Sequence, residues 1–202
     1  NNLEEILMLK SKGIDIIITD HHRQTGIFEN EFENEGKKLG VLVINPKSSK
    51  NYPNKFLSGS GVAFKLADAV YEAYGANKKI LYDYLDIIMI GTVADVVPMT
   101  DENRFIIKKG LYNLRKTKIK GLKYIISYLK INPKNITTSD IGFYIAPIFN
   151  AAGRLEDAKQ AVSLFIEEDG FECLTIIEQL LENNNERKNI QKKILEASIA
   201  EI

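Results

Sequence analysis

A chain of 202 residues with 27 basic and 27 acidic side chains is neutral overall, and its 45% hydrophobic content is ordinary for a globular protein. A single cysteine, Cys173, excludes an internal disulfide, and no run of about 18 uncharged apolar residues is present to span a bilayer. With no charged-then-apolar leader at its start, a cytoplasmic protein of one or two domains is expected. The chain opens on Asn1-Asn2 and stops at Ile202 within a helical pattern, so a piece of a longer protein is expected.

Leu3, Ile6, Leu7 and Leu9 predict a short amphipathic helix that Gly13 ends, with Asn2 and Glu5 spaced as a capping box. The β-branched run Ile14 to Thr19 reads as a buried strand, and helix followed by buried strand is the pattern of a parallel α/β sheet. Residues 23–40 are polar with charges throughout. Val41-Leu42-Val43-Ile44 predicts a second strand, closed by Asn45-Pro46. The loop at 45–57 carries Ser48, Ser49, Asn51 and Pro53, all turn chemistry, and loops this long in compact domains are often functional.

From Gly59 the periodicity changes. Val62, Phe64, Leu66, Ala69, Val70 and Tyr74 are spaced for a helix that Gly75 terminates. Further helices are predicted over 78–92, 102–115, 119–130, 138–147, 157–167 and 170–202. The stretch Leu85 to Val93 has the composition of a strand, but Leu81, Leu85 and Ile88 at helical spacing favour a helix ending near Gly91. The fold class expected is α/β, a parallel-sheet portion at the N-terminus followed by a mostly helical region and a long C-terminal connecting helix. That last helix has an apolar stripe, Phe171, Leu174, Ile177 and Leu181, and then a polar run from Asn183 to Lys188 that reads as a solvent-exposed span between domains.

Charge is segregated along the neutral chain. Between Asn103 and Ser139 there is no acidic residue, while Arg104, Lys108, Lys109, Arg115, Lys116, Lys118, Lys120, Lys123, Lys130 and Lys134 all fall there. Tyr112, Tyr124 and Tyr128 are interleaved, the mixture a backbone-tracking, base-stacking surface requires. A solvated lysine face is the alternative account.

Asp20-His21-His22 comes directly after the first strand. In parallel α/β sheets, ligands collect outside the carboxyl ends of strands. Adjacent side chains point in different directions, so one imidazole can ligate a metal, the next can face a phosphate, and Asp20 can orient both. The competing account is a turn with solvated histidines. Asp95 sits in the apolar stretch from Gly91 to Pro98, where a carboxylate is costly to bury unless paired or metal-bound; an exposed helix-end turn is the alternative. Gly59-Ser60-Gly61 opens a helix whose amides can hold an anion or simply be capped. In Asn150-Ala151-Ala152-Gly153-Arg154 small residues permit close backbone approach and Arg154 can fork onto phosphate, unless the segment is only a tight corner between helices.

Several of these segments, in this order, resemble the RecJ branch of the DHH phosphoesterase superfamily. They are Ile18-Thr19-Asp20-His21-His22, Leu57 to Ala67 around Gly59-Ser60-Gly61, Gly91-Thr92-Val93-Ala94-Asp95-Val96-Val97-Pro98-Met99, Asp101-Glu102-Asn103-Arg104, and Asn150-Ala151-Ala152-Gly153-Arg154-Leu155. The resemblance implies a two-metal site using Mn²⁺ or Mg²⁺ and hydrolysis of single-stranded DNA from its 5′ end, in repair and recombination. Single-stranded DNA would be its partner, with a single-strand-binding protein and a helicase accompanying it. By motif, His21 and Asp95 would ligate metal, with Asp20 ligating or supporting. His22 would contact the scissile phosphate as a catalytic residue beside Asp20. Asn150, Gly153, Arg154, Gly59, Ser60 and Gly61 would bind substrate.

Residues 1–100 would then be the C-terminal portion of the DHH catalytic domain, 101–168 its helical extension, and 169–202 the start of a helix toward a further domain. The family's upstream aspartate motifs have no counterpart in these residues, so the chain alone is expected to bind metal weakly and not to turn over. Ile148 stands where the family usually carries an arginine. A relative acting on nanoRNA or cyclic dinucleotides and a non-catalytic replication scaffold are the competing functions.

Overall fold

A computed structural model describes residues 3–23, 40–154 and 158–200. The predicted Asn2 cap and most of the polar stretch 23–40 lie outside the described residues. The chain packs as two units, one of Asn1–Tyr82 with Val97–Phe105 and one of Asp83–Val96 with Ile106–Ile202.

In the first unit, helix α1 (Leu3–Ser11) leads through Gly13 into strand β1 (Ile17–Thr19), which pairs in parallel with β2 (Leu42–Ile44). The register sets Ile17 opposite Leu42, Ile18 opposite Val43 and Thr19 opposite Ile44. One further bond at each end, Leu42 N–H to Ile16 O and Asp20 N–H to Ile44 O, both 3.1 Å, carries the ladder up to Asp20. The strands are parallel as expected, but Ile17 and Leu42 are each 57% exposed rather than buried. A β-branched run signals a strand, whereas burial depends on what packs over it.

Helix α2 (Gly59–Ala73) begins at Ser58, whose Oγ accepts the Gly61 N–H at 3.1 Å. It ends at Tyr74 and Gly75, where φ is +62°. Its buried side chains Val62 and Phe64 join Leu57, Ile6 and Val41 in the core of this unit. The long loop after β2 is tied down. Asn103, fully buried, donates through Nδ2 to the carbonyls of Phe56 (2.6 Å) and Pro98 (2.9 Å). Tyr52 donates to Glu102, which also pairs with Lys65 at 3.0 Å. Burial first, and then the hydrogen bond to Glu102 and that carboxylate's charge, push the Tyr52 phenol far above its ordinary range.

The predicted helix 78–92 is two helices, α3 (Lys79–Asp83) and α4 (Leu85–Ala94), separated at Tyr84. In the second unit α4 is a core helix, with Leu85, Met89, Ile90 and Val93 all buried. α5 (Asp101–Leu114), whose later residues belong to this unit, meets α4 at Gly110, where a Cβ would collide with Met89, and α6 (Lys120–Tyr128) buries Leu122, Ile125 and Ile126. α9 (Ala158–Ile166) crosses α6 at Gly121. A Cβ there would collide with the Leu164 carbonyl, so the glycine permits the close approach.

A continuous helical rod runs from the Thr137 capping box through α7 (Thr138–Asp140), a π-segment (Ile141–Ile145) and α8 (Ala146–Arg154). The predicted helix 138–147 therefore extends through the Asn-Ala-Ala-Gly-Arg motif, which forms no corner. Pro147 explains the π-segment: in an ordinary helix its ring would press on the carbonyl of Phe143, and the wider turn relieves that contact. Finally α10 (Gly170–Ala200) buries Cys173, Ile177, Leu180 and Asn184 at successive turns. The mostly helical body, parallel strand pair and long last helix match the fold class read from the sequence.

Asp86 on α4 is 2% exposed, with Oδ2 accepting from the Thr117 hydroxyl at 2.6 Å and Oδ1 from the Ile87 N–H at 2.9 Å. Burial raises its carboxyl above the ordinary range; these two bonds lower it without cancelling the effect, and the nearby Asp83 charge adds to the rise. An acid raised in the folded state contributes stability that is complete below its unfolded value and is lost as pH climbs through its folded value. Asp86→Asn removes that loss. In urea titrations from about pH 4 upward, the stability difference is expected to move steadily in favour of the variant and then level off; a difference independent of pH would contradict the assignment.

Candidate metal centre

The parallel ladder delivers Asp20 to the strand end with its amide already bonded to β2, so its carboxylate is available to organise the two histidines after it. Oδ1 accepts three hydrogen bonds, from the His21 N–H (2.7 Å), the His22 N–H (3.2 Å) and His22 Nδ1 (2.7 Å). Burial tends to raise this carboxyl, but the His22 side chain, both amides and the His22 charge together outweigh it and hold it below its ordinary value. An anionic Asp20 is therefore the resting form. The Asp20–His22 bond also fixes the orientation of the His22 ring, leaving Nε2 as its outward nitrogen. The two imidazoles lie 4.2 Å apart between centroids, tilted by 46°.

Two neighbours hold this turn in place. Asn45, buried at the end of β2, donates through Nδ2 to the His22 carbonyl at 3.0 Å, while its Oδ1 accepts the Lys47 N–H at 2.9 Å. Gly59, the first residue of α2, faces the His21 ring; a Cβ there would stand 3.3 Å from Cδ2 and 3.6 Å from Nε2. Ligand atoms from Asp20, His21 and His22 all lie within 4.8 Å of one another, and among the described residues this is the group able to hold a metal ion. A carboxylate with imidazole nitrogens is a donor set suited to Mn²⁺ and, through its oxygens, to Mg²⁺.

The remaining sequence candidates fall in both units. Asp95 belongs to the second, where it is exposed and caps α4, its N–H bonded to the Gly91 carbonyl at 3.1 Å. Directly after it Val96 has φ +53°, a conformation that costs a β-branched residue roughly 1–3 kcal/mol and that tends to gather at functional sites. Ser60 Oγ lies 3.0 Å from Ser58 Oγ, and the Gly61 amide is engaged by the Ser58 cap. On α8, Asn150 and Gly153 are exposed, and nothing stands within 4 Å of where a Gly153 Cβ would lie. Ala151 and Ala152 are fully buried and serve packing. Ile148, 1% exposed, is a core side chain. Arg154 is the last residue of α8.

The basic segment surrounds a cavity of about 700 Å³ lined by Arg115, Lys116, Lys123 and Lys130 above Leu114 and Ile126. Lys109 and Lys116 sit over the exposed Tyr112 ring at 4.9 and 4.0 Å from its centroid. Lys120 is partly neutralised by Glu168, at 3.2 Å, from outside the segment. Sequence reasoning missed Asn45 and Ser58, both of which support the site. Asn45 reads as ordinary turn chemistry before Pro46, and only its place at the end of the neighbouring parallel strand marks it out.

Residues 1–92 match the model of the DHH family, N-terminal domain. Over that stretch, a little under half of its length, the chain is similar to the DHH family. It is 36% identical over 200 residues to the single-stranded-DNA-specific exonuclease RecJ of Bacillus subtilis (strain 168), covering 98% of this chain and 23% of that protein. It is 30% identical over 195 residues to RecJ of Thermus thermophilus, covering 96% of this chain and 27% of the relative. The chain thus spans about a quarter of the length of these relatives. Among solved structures, RecJ from Thermus thermophilus in complex with Mn²⁺ superposes with a TM-score of 0.78 at 28% identity, covering 96% of this chain and 28% of that one. Another exonuclease RecJ, bound to manganese, also gives 0.78 at 28% identity, covering 97% of this chain and 47% of its own.

If Gly59 is left bare to admit the His21 ring, Gly59→Ala should push that ring by a few tenths of an ångström while leaving α2 intact, since alanine favours helix. Calorimetric titration with Mn²⁺ is expected to show affinity reduced on the order of tenfold with an unchanged melting temperature. Unchanged affinity would mean that the glycine does not serve the centre.

Proposed function

We propose that this chain carries part of the catalytic core of a metal-dependent phosphodiesterase, a 5′-3′ exonuclease specific for single-stranded DNA that acts in repair and recombination. One observation carries the reading: the Asp20-His21-His22 cluster stands pre-organised at a parallel strand end in a chain 36% identical to a single-strand-specific RecJ along nearly its whole length. The cytoplasm is its proposed place of action. Single-stranded DNA is the proposed substrate, and a single-strand-binding protein and a helicase are the proposed partners.

In this reading Asp20, His21 and Asp95 hold Mn²⁺ or Mg²⁺, supplemented by ligands beyond these residues. When bound, the metal pair supplies an activated water and charge stabilisation at the leaving oxygen. The protein's own groups do the positioning. Asp20 keeps its negative charge and turns the His22 ring so that Nε2 meets an oxygen of the scissile phosphate. Asn45 anchors the His22 backbone, so that imidazole cannot swing away. The strained Val96 fixes the direction of Asp95 at the end of α4. Asn150, Gly153 and Arg154, with the α2 start at Gly59, Ser60 and Gly61, take the substrate strand. By function the chain then segments at 1–100, 101–168 and 169–202, catalytic portion, helical extension and connecting helix.

The test offers the intact protein, with Mn²⁺, a 5′-phosphorylated single strand, a duplex and a cyclic dinucleotide. Degradation of the single strand from its 5′ end is expected, with His21→Ala lowering the rate by at least about a hundredfold. Activity should also fall in acid, because His21 ligates only as the neutral imidazole. Preference for the duplex or the cyclic dinucleotide would refute the assignment, and inertness toward all three would favour a scaffold.

A further inference from the structure

The polar run on α10 is not a plain solvated span. Asn184 within it is 5% exposed, and its Oδ1 accepts from both Nε (3.3 Å) and Nη2 (3.2 Å) of Arg187. One turn on, Gln191 Oε1 accepts from Arg187 Nη1 at 3.2 Å. The half-buried guanidinium is thus locked from two sides, and its described partners are neutral amides. Lys65, Lys78, Lys120 and Lys192, by contrast, each pair with a carboxylate. An arginine has five N–H donors, so among the described hydrogen bonds an N–H remains on each terminal nitrogen. A positive charge held rigid and left uncompensated in a half-buried place is suited to an external anion.

Arg187 also has a cavity to serve. With Gln191, Ile190 and Ile194 on α10 and Pro147 and Asn150 on α8, it lines a space of about 460 Å³, within the range of small-ligand sites. Asn150 belongs to the Asn-Ala-Ala-Gly-Arg motif, and Arg154 comes one helical turn later. Pro147, Ile190 and Ile194 add aliphatic walls against which a sugar can lie. We infer that Arg187, positioned by Asn184 and Gln191, binds a backbone phosphate of the single strand in the cavity it shares with Asn150. The inference rests on the exonuclease reading and extends it to the connecting helix, which would be part of the substrate path.

The test measures binding of a 5′-phosphorylated, 3′-labelled single strand to the intact protein by fluorescence anisotropy, with chelator present to prevent cleavage, over a series of salt concentrations. Arg187→Gln is expected to weaken binding on the order of tenfold and to flatten the slope of log affinity against log salt by about 0.7, the signature of one lost phosphate contact on a single strand. Arg187→Lys should retain the slope with reduced affinity, because the charge survives without the fork. Lys188→Gln, which removes a neighbouring exposed charge, should leave the slope as in the parent. A purely structural role would lower affinity without changing the slope.

A parental slope in Arg187→Gln, or an equal loss in Lys188→Gln, overturns the contact alone. Should Arg187→Gln fail to fold, Gln191→Glu decides, since it sets a carboxylate against the retained guanidinium: a slope flattened by about 0.7 supports the contact, and a parental slope overturns it. A parent that binds no single strand overturns the exonuclease reading and this contact with it.

Discussion

Three hydrogen bonds converging on one oxygen of Asp20 organise the candidate centre. Two come from backbone and one from the next-but-one side chain, so a single carboxylate sets both the path of the chain leaving β1 and the orientation of the His22 ring. The arrangement works because the Asp20 amide is already bonded into the ladder. With its backbone held by β2 and its carboxylate held by the two residues after it, the turn has little freedom left. Asn45 closes the circuit from the adjacent strand. The two strands have only three residues each, and their contribution is the alignment of two ends more than the burial of surface.

The second unit uses a different physics. Its helices meet through fully buried aliphatic side chains on α4, α6, the π-segment and α10, and the polar groups admitted among them come with partners. Asp86 is the informative case, since a carboxylate among leucines and isoleucines persists by accepting from Thr117 and the Ile87 amide, and even so its acidity is weakened. That pair ties α4 to the turn before α6, much as Asn103 ties two loop carbonyls in the first unit. Each is a short polar staple in an otherwise apolar interior, costly to leave half-made.

Much of this was legible in the sequence, for reasons that differ by element. Gly75 ends α2 because positive φ is a local property, readable without knowledge of neighbours. The Asp-His-His cluster was legible for the same reason, standing directly after a strand run. What escaped depends on partners distant along the chain. The break at Tyr84 divides a pattern that is helical throughout by periodicity. The exposure of Ile17 and Leu42 contradicts their composition. Lys120 meets Glu168, so a stretch without acids is less bare than it reads. Asn183 to Lys188 looked like a solvent span because polarity was all that showed, whereas Asn184 faces inward and anchors Arg187.

The π-segment before Pro147 has a further consequence when the rod is viewed as a rotating phase. Each residue of an α-helix advances its neighbours by about 100°, and a π-turn lets one extra residue pass without lengthening the ladder. Everything on α8 is consequently dialled round relative to α7, and Asn150 owes its place in the cavity beside Arg187 to that offset. A chain one residue shorter there would make an equally regular helix, with its buried alanines and its exposed asparagine turned to the wrong sides. Pro147 thus acts as a clutch, holding the two ends of one rod at a set angle.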